Sequence, residues 1–294
     1  MASKSATPDS PHSDAPFRRD RATILGVLNL TPDSFSDGGR FVRGSADSLE
    51  LAALLGEARA QLEAGAHVLD VGGESTRPGA PPVSAAEEIA RTRPAIEALA
   101  KALRVPLSID TRRAAVAEAA LDAGACIVND VSGGTHDPAL LGVAARRGAR
   151  LILGHLRGEP ATMQHGIVFA DVVVEVGDEL AAAIARAEAA GVARERIVAD
   201  PGIGFGKTGA HNLALLANVG ALRARLGVPL LVGVSRKRFL GELTGERQAS
   251  RRDAASHAAG AIALFAGADA VRVHDVAGAR IAAQVALALR EARR

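Results

Sequence analysis

The sequence predicts a (β/α)8 barrel, an α/β fold with its active site at the carboxyl ends of the strands. Eight short apolar, β-branched runs recur from residue 22 onward, each bounded by Gly, Asp, Asn or Pro. An alanine-rich amphipathic stretch of helical period follows every run, so the unit repeated is strand then helix. No linker divides the 294 residues, a length that suits one such barrel.

The first strand is expected at 23–28 and runs into Asn29, with a helix near 47–64. The second, 67–71, ends in Asp70 followed by Gly72 and Gly73, and its helix spans 84–103, where Ser84 and Glu87 have the spacing of a capping box. The third covers 106–109 and its helix 112–123. The fourth lies at 126–131, followed by a helix over 138–147 in which Asp137 precedes Pro138 as an N-cap precedes a proline at N1. Strands at 150–155, 196–199, 229–234 and 270–274 complete the set, with helices at 171–190, 211–225, 252–266 and 277–292. The runs are apolar throughout, as parallel strands covered by helices require. Residues 1–20 hold four serines, three prolines and no apolar core of a signal peptide; they read as a mobile tail before a barrel domain at 21–294.

Composition narrows the class. With 48% hydrophobic and 23% charged residues the chain can bury a large core, which excludes disorder. The longest uncharged apolar stretch, 254–268, is 15 residues long and too short to span a membrane. One cysteine, Cys126, allows neither an internal disulfide nor a cysteine zinc site, and a cytoplasmic location is expected. Net charge is +2, with 31 Arg and 4 Lys scattered and no aromatic interleaving, so no nucleic-acid partner is expected.

Polar residues collect where barrel active sites form. The strand ends carry Asn29, Asp70, Asp110, Asn129 with Asp130, His155, Asp200, Ser235 to Lys237, and Arg272 with His274 and Asp275. A helix cap or a loop residue accounts for any one of these. Eight strand ends together point to a site. Asp110, Asn129 and Asp200 supply acceptors and one amide, which suits a flat heterocycle with N–H donors beside a carbonyl. Arg77, Arg272 and His274 supply positive charge and forked donors, which suits phosphate or diphosphate. Residues 202–208, GIGFGKT, fail as a P-loop because Pro201 stands where the first glycine belongs, and fail as a dinucleotide fingerprint at Lys207. Lys237 is compatible with a Schiff base, but a simple donor is the plainer role.

Six strings in order resemble the dihydropteroate synthases, a family of pterin-binding enzymes: LNLTPDSFSDGG from Leu28, DVGGESTRPGA from Asp70, IDTRRAAVAEAALDAGACIVNDVSGG from Ile109, ADPGIGFGKT from Ala199, GVSRKRFLGELTG from Gly233 and RVHDV from Arg272. The resemblance covers about residues 24–290 and independently implies the same barrel, together with a homodimer. It implies a transferase of folate biosynthesis, a target of sulfonamides, that condenses 6-hydroxymethyl-7,8-dihydropterin diphosphate with p-aminobenzoate through a dissociative displacement. Asp110, Asn129, Asp200 and Lys237 would meet the pterin ring. Asn29, Arg272 and His274 would hold the diphosphate, with Asn29 also touching Mg²⁺. Phe35, Asp37, Thr76, Arg77, Pro78, Ser235 and Arg236 would form the p-aminobenzoate site, and Phe205 would be a further substrate contact. Asp110, Asp200, Lys237, Arg272 and His274 would carry the chemistry.

One departure lies in the fifth strand, where members commonly flank the histidine with methionines and this chain has Gly154 and Leu156. Leucine conserves volume, whereas glycine is expected to leave room in the pocket wall. His155 itself reads as a packed strand-end histidine. Two alternatives share the barrel. A pterin-dependent methyltransferase would lack a reason for the TPDSFSDGG and SRK segments, and a non-catalytic pterin-binding relative would lack a reason for the diphosphate residues.

Overall fold

The computed structural model describes residues 16–17, 21–30, 48–75 and 82–293. Its elements are β1 (Thr23–Asn29), α1 (Ser48–Ala64), β2 (Val68–Gly72), α2 (Ala85–Ala102), β3 (Leu107–Asp110), α3 (Ala114–Asp122), β4 (Ile127–Asp130), α4 (Ala139–Arg146) and β5 (Arg150–Gly154). Then follow α5 (Val172–Ala189), β6 (Ile197–Asp200), α6 (Gly209–Ala217), α7 (Val219–Leu226), β7 (Leu231–Val232), α8 (Arg238–Thr244), α9 (Asp253–Ala266), β8 (Ala270–Val273) and α10 (Val276–Ala292). The strands lie in the order β6-β5-β4-β3-β2-β1-β8-β7, all parallel. A parallel bridge between Ala199 and Leu230, with the Ala199 N–H donating to Pro229 O at 2.9 Å, brings β6 against β7 and closes the predicted barrel.

Alternation along each strand builds two layers inside it. Leu25, Val68, Ile127, Ile152, Val198, Leu231 and Ala270 form one buried apolar cluster. Side chains two residues further along a strand share its face. Those positions are Asp70 above Val68, Asn129 above Ile127, Gly154 above Ile152, Asp200 above Val198, Gly233 above Leu231 and Arg272 above Ala270. The opposite face, with Ile24, Leu69, Ile109, Val128, Leu151, Leu153, Ala199 and Val232, packs in the main cluster with helix residues such as Ile96, Val116, Leu140 and Leu180. An apolar plug therefore supports a polar layer at the carboxyl ends.

Several local readings change. Phe17 is buried at 5% exposure within the apolar plug; its N–H donates to Thr23 Oγ1 at 2.7 Å and the Arg150 guanidinium lies 5.6 Å from its ring centroid. The segment 1–20 thus has an apolar anchor that composition concealed, although 1–15 and 18–20 lie outside the described residues. The predicted helix at 211–225 is two helices, because Asn218 breaks the ladder: its Nδ2 donates to Ala214 O at 2.9 Å in competition with the backbone. An unpredicted helix, α8, follows β7. The Ser84 hydroxyl accepts the Glu87 N–H at 3.1 Å, but the Glu87 carboxylate pairs with Arg91, so half of the predicted capping box forms. The helix after β4 starts at Ala139 with Pro138 in the cap position, one residue later than expected; Asp137 still accepts the Ala139 N–H at 3.2 Å, and its second oxygen takes the Ala114 N–H at 2.8 Å.

Candidate active site

A guanidinium from β8 is held across the barrel by carboxylates from β2 and β3. Arg272 Nε donates to Asp70 Oδ2 at 2.6 Å and Nη2 donates to Asp110 Oδ2 at 2.8 Å. Asn129 Nδ2 on β4 donates to the same Asp70 oxygen at 3.2 Å. Asp70 is fully buried, and its Oδ1 has no protein partner. Burial opposes the charge on Arg272, but Asp70 and Asp110 outweigh it and hold the guanidinium firmly protonated. Burial pushes the Asp110 carboxyl upward; Arg272 pulls it back while Asp70 adds to the push.

On β6, Asp200 Oδ1 accepts the Gly202 N–H at 2.8 Å. Burial raises its pKa against that hydrogen bond and the attraction of Lys237. Gly233, one residue past β7, lies beside it, and a Cβ there would sit 3.8 Å from Asp200 Oδ2. Lys237 Nζ lies 3.8 Å from the Phe205 ring centroid, and burial lowers its pKa to about 8 despite Asp200. Gly204, at φ 83°, permits this approach: a Cβ there would meet Lys237 Cδ at 2.9 Å.

Asn29 ends β1 in register with Gly72, where an added Cβ would lie 3.5 Å from Asn29 Oδ1 and 3.6 Å from Asp110 Cβ. Glycine therefore keeps open the space between these two side chains. Ser235 Oγ lies 2.9 Å from His274 Nδ1 and accepts the His274 N–H at 3.1 Å. Arg236 adopts φ 59°, and its Nε and Nη2 donate to Asp253 at 2.8 and 2.9 Å.

The strand ends thus carry Asn29, Asp110, Asn129, Asp200, Ser235, Lys237, Arg272 and His274, with Phe205 beneath Lys237. Phe35, Asp37, Thr76, Arg77 and Pro78 lie outside the described residues. Sequence reasoning noted Asp70 as a strand end but gave it no role; the signal was its place two residues beyond apolar Val68. It also passed over Lys207, which lies inside the rejected P-loop string. Lys207 Nζ is 2.9 Å from His155 Nδ1 and donates to Phe205 O at 3.0 Å. Burial lowers the pKa of both His155 and Lys207. His155 is then neutral, accepting at Nδ1 and donating from Nε2 to Glu179 Oε2 at 2.9 Å. This is the packed histidine expected. The room expected at Gly154 is absent: a Cβ there would stand 2.6 Å from Val131 Cα and 2.8 Å from Val131 O, so backbone from the turn after β4 fills the space.

Among the described residues no group of three or more His, Cys, Asp or Glu is placed to hold a metal. Asn29 offers a neutral amide oxygen. That donor chemistry fits Mg²⁺, a hard ion that keeps waters and completes its shell with phosphate oxygens.

A profile of the pterin binding enzyme family matches residues 25–274. The chain is 47% identical over 256 residues to a dihydropteroate synthase from Synechocystis, covering 87% of this chain and 86% of that one. It resembles the Yersinia pestis dihydropteroate synthase solved in a sulfonamide drug complex, with TM-score 0.86 and 40% identity over 93% of this chain and 96% of that one. The Xanthomonas albilineans dihydropteroate synthase solved with 4-aminobenzoic acid gives TM-score 0.83 and 42% identity over 92% and 93%. A closed barrel, a polar layer of the expected residues at its mouth and these matches lead to one assignment: the chain belongs to the pterin binding enzyme family, among its dihydropteroate synthases.

Proposed function

We propose that the chain is a transferase of folate biosynthesis, a dihydropteroate synthase that joins 6-hydroxymethyl-7,8-dihydropterin diphosphate to p-aminobenzoate. The observation that carries the reading is the polar layer at the barrel mouth: Asp110 and Asn129 on one wall, Asp200 and Lys237 on another, with Arg272 between two carboxylates. A flat ring with N–H donors and a carbonyl finds acceptors in Asp110 and Asp200, an amide in Asn129 and a donor in Lys237. Diphosphate finds His274 and the Nη1 edge of Arg272, which the Asp70 and Asp110 contacts leave over.

In the reaction the exocyclic C–O bond breaks with its electron pair leaving on diphosphate. The amine lone pair forms the new C–N bond, and the proton that nitrogen then sheds passes to solvent. Positive charge developing on the ring faces the Asp110 and Asp200 carboxylates, while His274 and Arg272 receive the departing anion. A neutral aromatic amine needs no strong general base. We assign Ser235 to the amine side, with Arg236 next to it in the chain, and Phe205 as a further substrate contact. Mg²⁺ held through Asn29 would supply charge stabilisation at the diphosphate.

A homodimer accords with the exposed Ile281, Val285 and Leu289, spaced four residues apart on α10, and with Ile262 on adjacent α9. No helix among the described residues is long and apolar enough to cross a membrane, and we assign the protein to the cytoplasm. Incubation with both substrates tests the function. Dihydropteroate and diphosphate are expected in equal amounts. Pterin binding without turnover would overturn the reading in favour of a non-catalytic relative, and methyl transfer to a corrinoid protein would overturn it in favour of a methyltransferase.

A further inference from the structure

A long side chain rarely occupies the left-handed region of backbone space, yet Arg236 has φ 59° in the turn between Ser235 and Lys237. Such a conformation persists only where the surroundings over-determine it, and it marks functional sites. The start of α9 restrains it at three points. The Arg236 N–H donates to Ser256 Oγ at 2.8 Å. The Arg236 carbonyl accepts from Arg252 Nη1 at 3.2 Å. Its Nε and Nη2 form a two-point ion pair with Asp253, at 2.8 and 2.9 Å. Ser256 is itself fixed, since its Oγ donates to Arg252 O at 2.7 Å. Three residues of one helical turn thus grip the N–H, the carbonyl and the guanidinium of a single strained residue.

Both neighbours of that residue belong to the site. Ser235 places its Oγ 2.9 Å from His274 Nδ1, and Lys237 sets its Nζ over the Phe205 ring. Turning Arg236 from left-handed to ordinary backbone would re-aim both side chains at once. A guanidinium committed at two points to Asp253 is a tether before it is a substrate ligand.

We propose that Arg236, Asp253 and Ser256 are positioning residues for the condensation: the α9 turn holds Arg236 in its left-handed conformation and thereby aims Ser235 at His274 and Lys237 at the ring pocket. The inference rests on the proposed function for its kinetic readout and on geometry alone for its spectroscopic one. It departs from the expectation that Arg236 acts as a direct p-aminobenzoate contact.

Asp253→Asn breaks the ion pair while keeping shape. Arg236→Asn removes the guanidinium but keeps a residue that tolerates the left-handed region. If the pair acts as a tether, each variant loses about 10- to 100-fold in kcat, as misplaced catalytic groups do. The double variant is then no worse than the poorer single, because both remove one interaction. Dihydropterin affinity weakens as Lys237 loses its aim, while melting temperature stays near wild type. Full activity in Asp253→Asn beside a damaged Arg236→Asn would overturn the proposal and make Arg236 a direct contact, and so would multiplicative losses in the double variant. Should Asp253→Asn unfold, Ser256→Ala, which cuts the N–H tether together with the Ser256 bond to Arg252 O and leaves the ion pair, decides the matter: undiminished kcat there overturns it. The ¹⁵N resonances of the His274 ring give a readout independent of turnover. They are expected to move in Asp253→Asn, and unshifted signals would contradict the proposal. A wild-type protein without turnover strikes the proposed function, whereas unmoved His274 signals strike the tether.

Discussion

Two cations at the barrel mouth are stabilised in opposite ways. Arg272, between β1 and β7, touches two carboxylates, Asp70 and Asp110. Lys207, between β5 and β6, touches a neutral imidazole and two carbonyls, and only 3% of it is exposed. The difference lies in what repays desolvation. Paired carboxylates keep Arg272 charged at any working pH, while burial and the neighbouring Asp70 carboxylate push its partner Asp110 up to about 7. Without a carboxylate in contact, burial draws the Lys207 pKa down from 10.5 to about 7, so that side gives up its charge near neutrality. Lys237 is intermediate, lowered to about 8 by burial while Asp200 restores part of its charge.

Breaking the paired side is expected to have the largest effect. Arg272→Met strands Asp70 and Asp110 as buried, uncompensated carboxylates and is expected to cost about 3 to 5 kcal/mol of folding stability along with turnover. Urea unfolding measures it, and a loss under about 1 kcal/mol would show that the pair is not holding the mouth.

Next comes the ring contact itself. Asp200→Asn keeps the shape but presents a weaker acceptor and a mismatched donor, so dihydropterin binding is expected to weaken by about 2 to 4 kcal/mol. Near-wild-type affinity by calorimetry would remove Asp200 from the ring site.

The unpaired side yields a pH signature. Because the folded pKa of Lys207 lies below its unfolded value, the unfolded chain holds the extra proton between pH of about 7 and 10.5. Stability contributed at this site therefore rises with pH across that window and is lost as pH falls through about 7. Lys207→Met has no such group. The stability of the variant relative to wild type is expected to be greatest below pH 7 and to fall by about 1 to 3 kcal/mol toward pH 10. A pH-independent difference would mean that Lys207 is not burdened by burial.

How far these two sides could be read in advance follows from their physics. Short apolar runs, each followed by a helical pattern, leave the strand–helix repeat plain, so the barrel was legible even though β7 keeps only Leu231–Val232 of its predicted 229–234. Asp110, Asn129, Asp200 and Arg272 were legible as polar residues at the carboxyl ends of apolar strands. The Asp70 to Arg272 pair was not, because it spans 202 positions and forms only once the cylinder closes. Lys207 was hidden inside a string that resembles a phosphate loop, and nothing local shows that its ammonium turns inward onto His155. Phe17 was masked by the serines and prolines around it. Gly154 misled for a related reason: a missing side chain suggests room, but the space belongs to Val131.

The smallest effect concerns the metal. With one neutral amide oxygen from Asn29 and no carboxylate cluster among the described residues, Mg²⁺ is expected to bind weakly to the free protein and much better alongside diphosphate. Isothermal titration of Mg²⁺ with and without pterin diphosphate checks this, and tight binding to the free protein would contradict it.

Asp110 and Asp200, in their ionised form, are assigned the stabilisation of positive charge on the ring as diphosphate departs. The most direct test replaces both hydrogens of the exocyclic methylene with deuterium and compares single-turnover rates. A carbon that flattens and gains positive charge before the amine bonds to it gives a distinctly slower deuterated substrate, and that is the expected result. Equal rates would mean a tight displacement in which the ring never carries the charge, and would contradict the role assigned to Asp110 and Asp200.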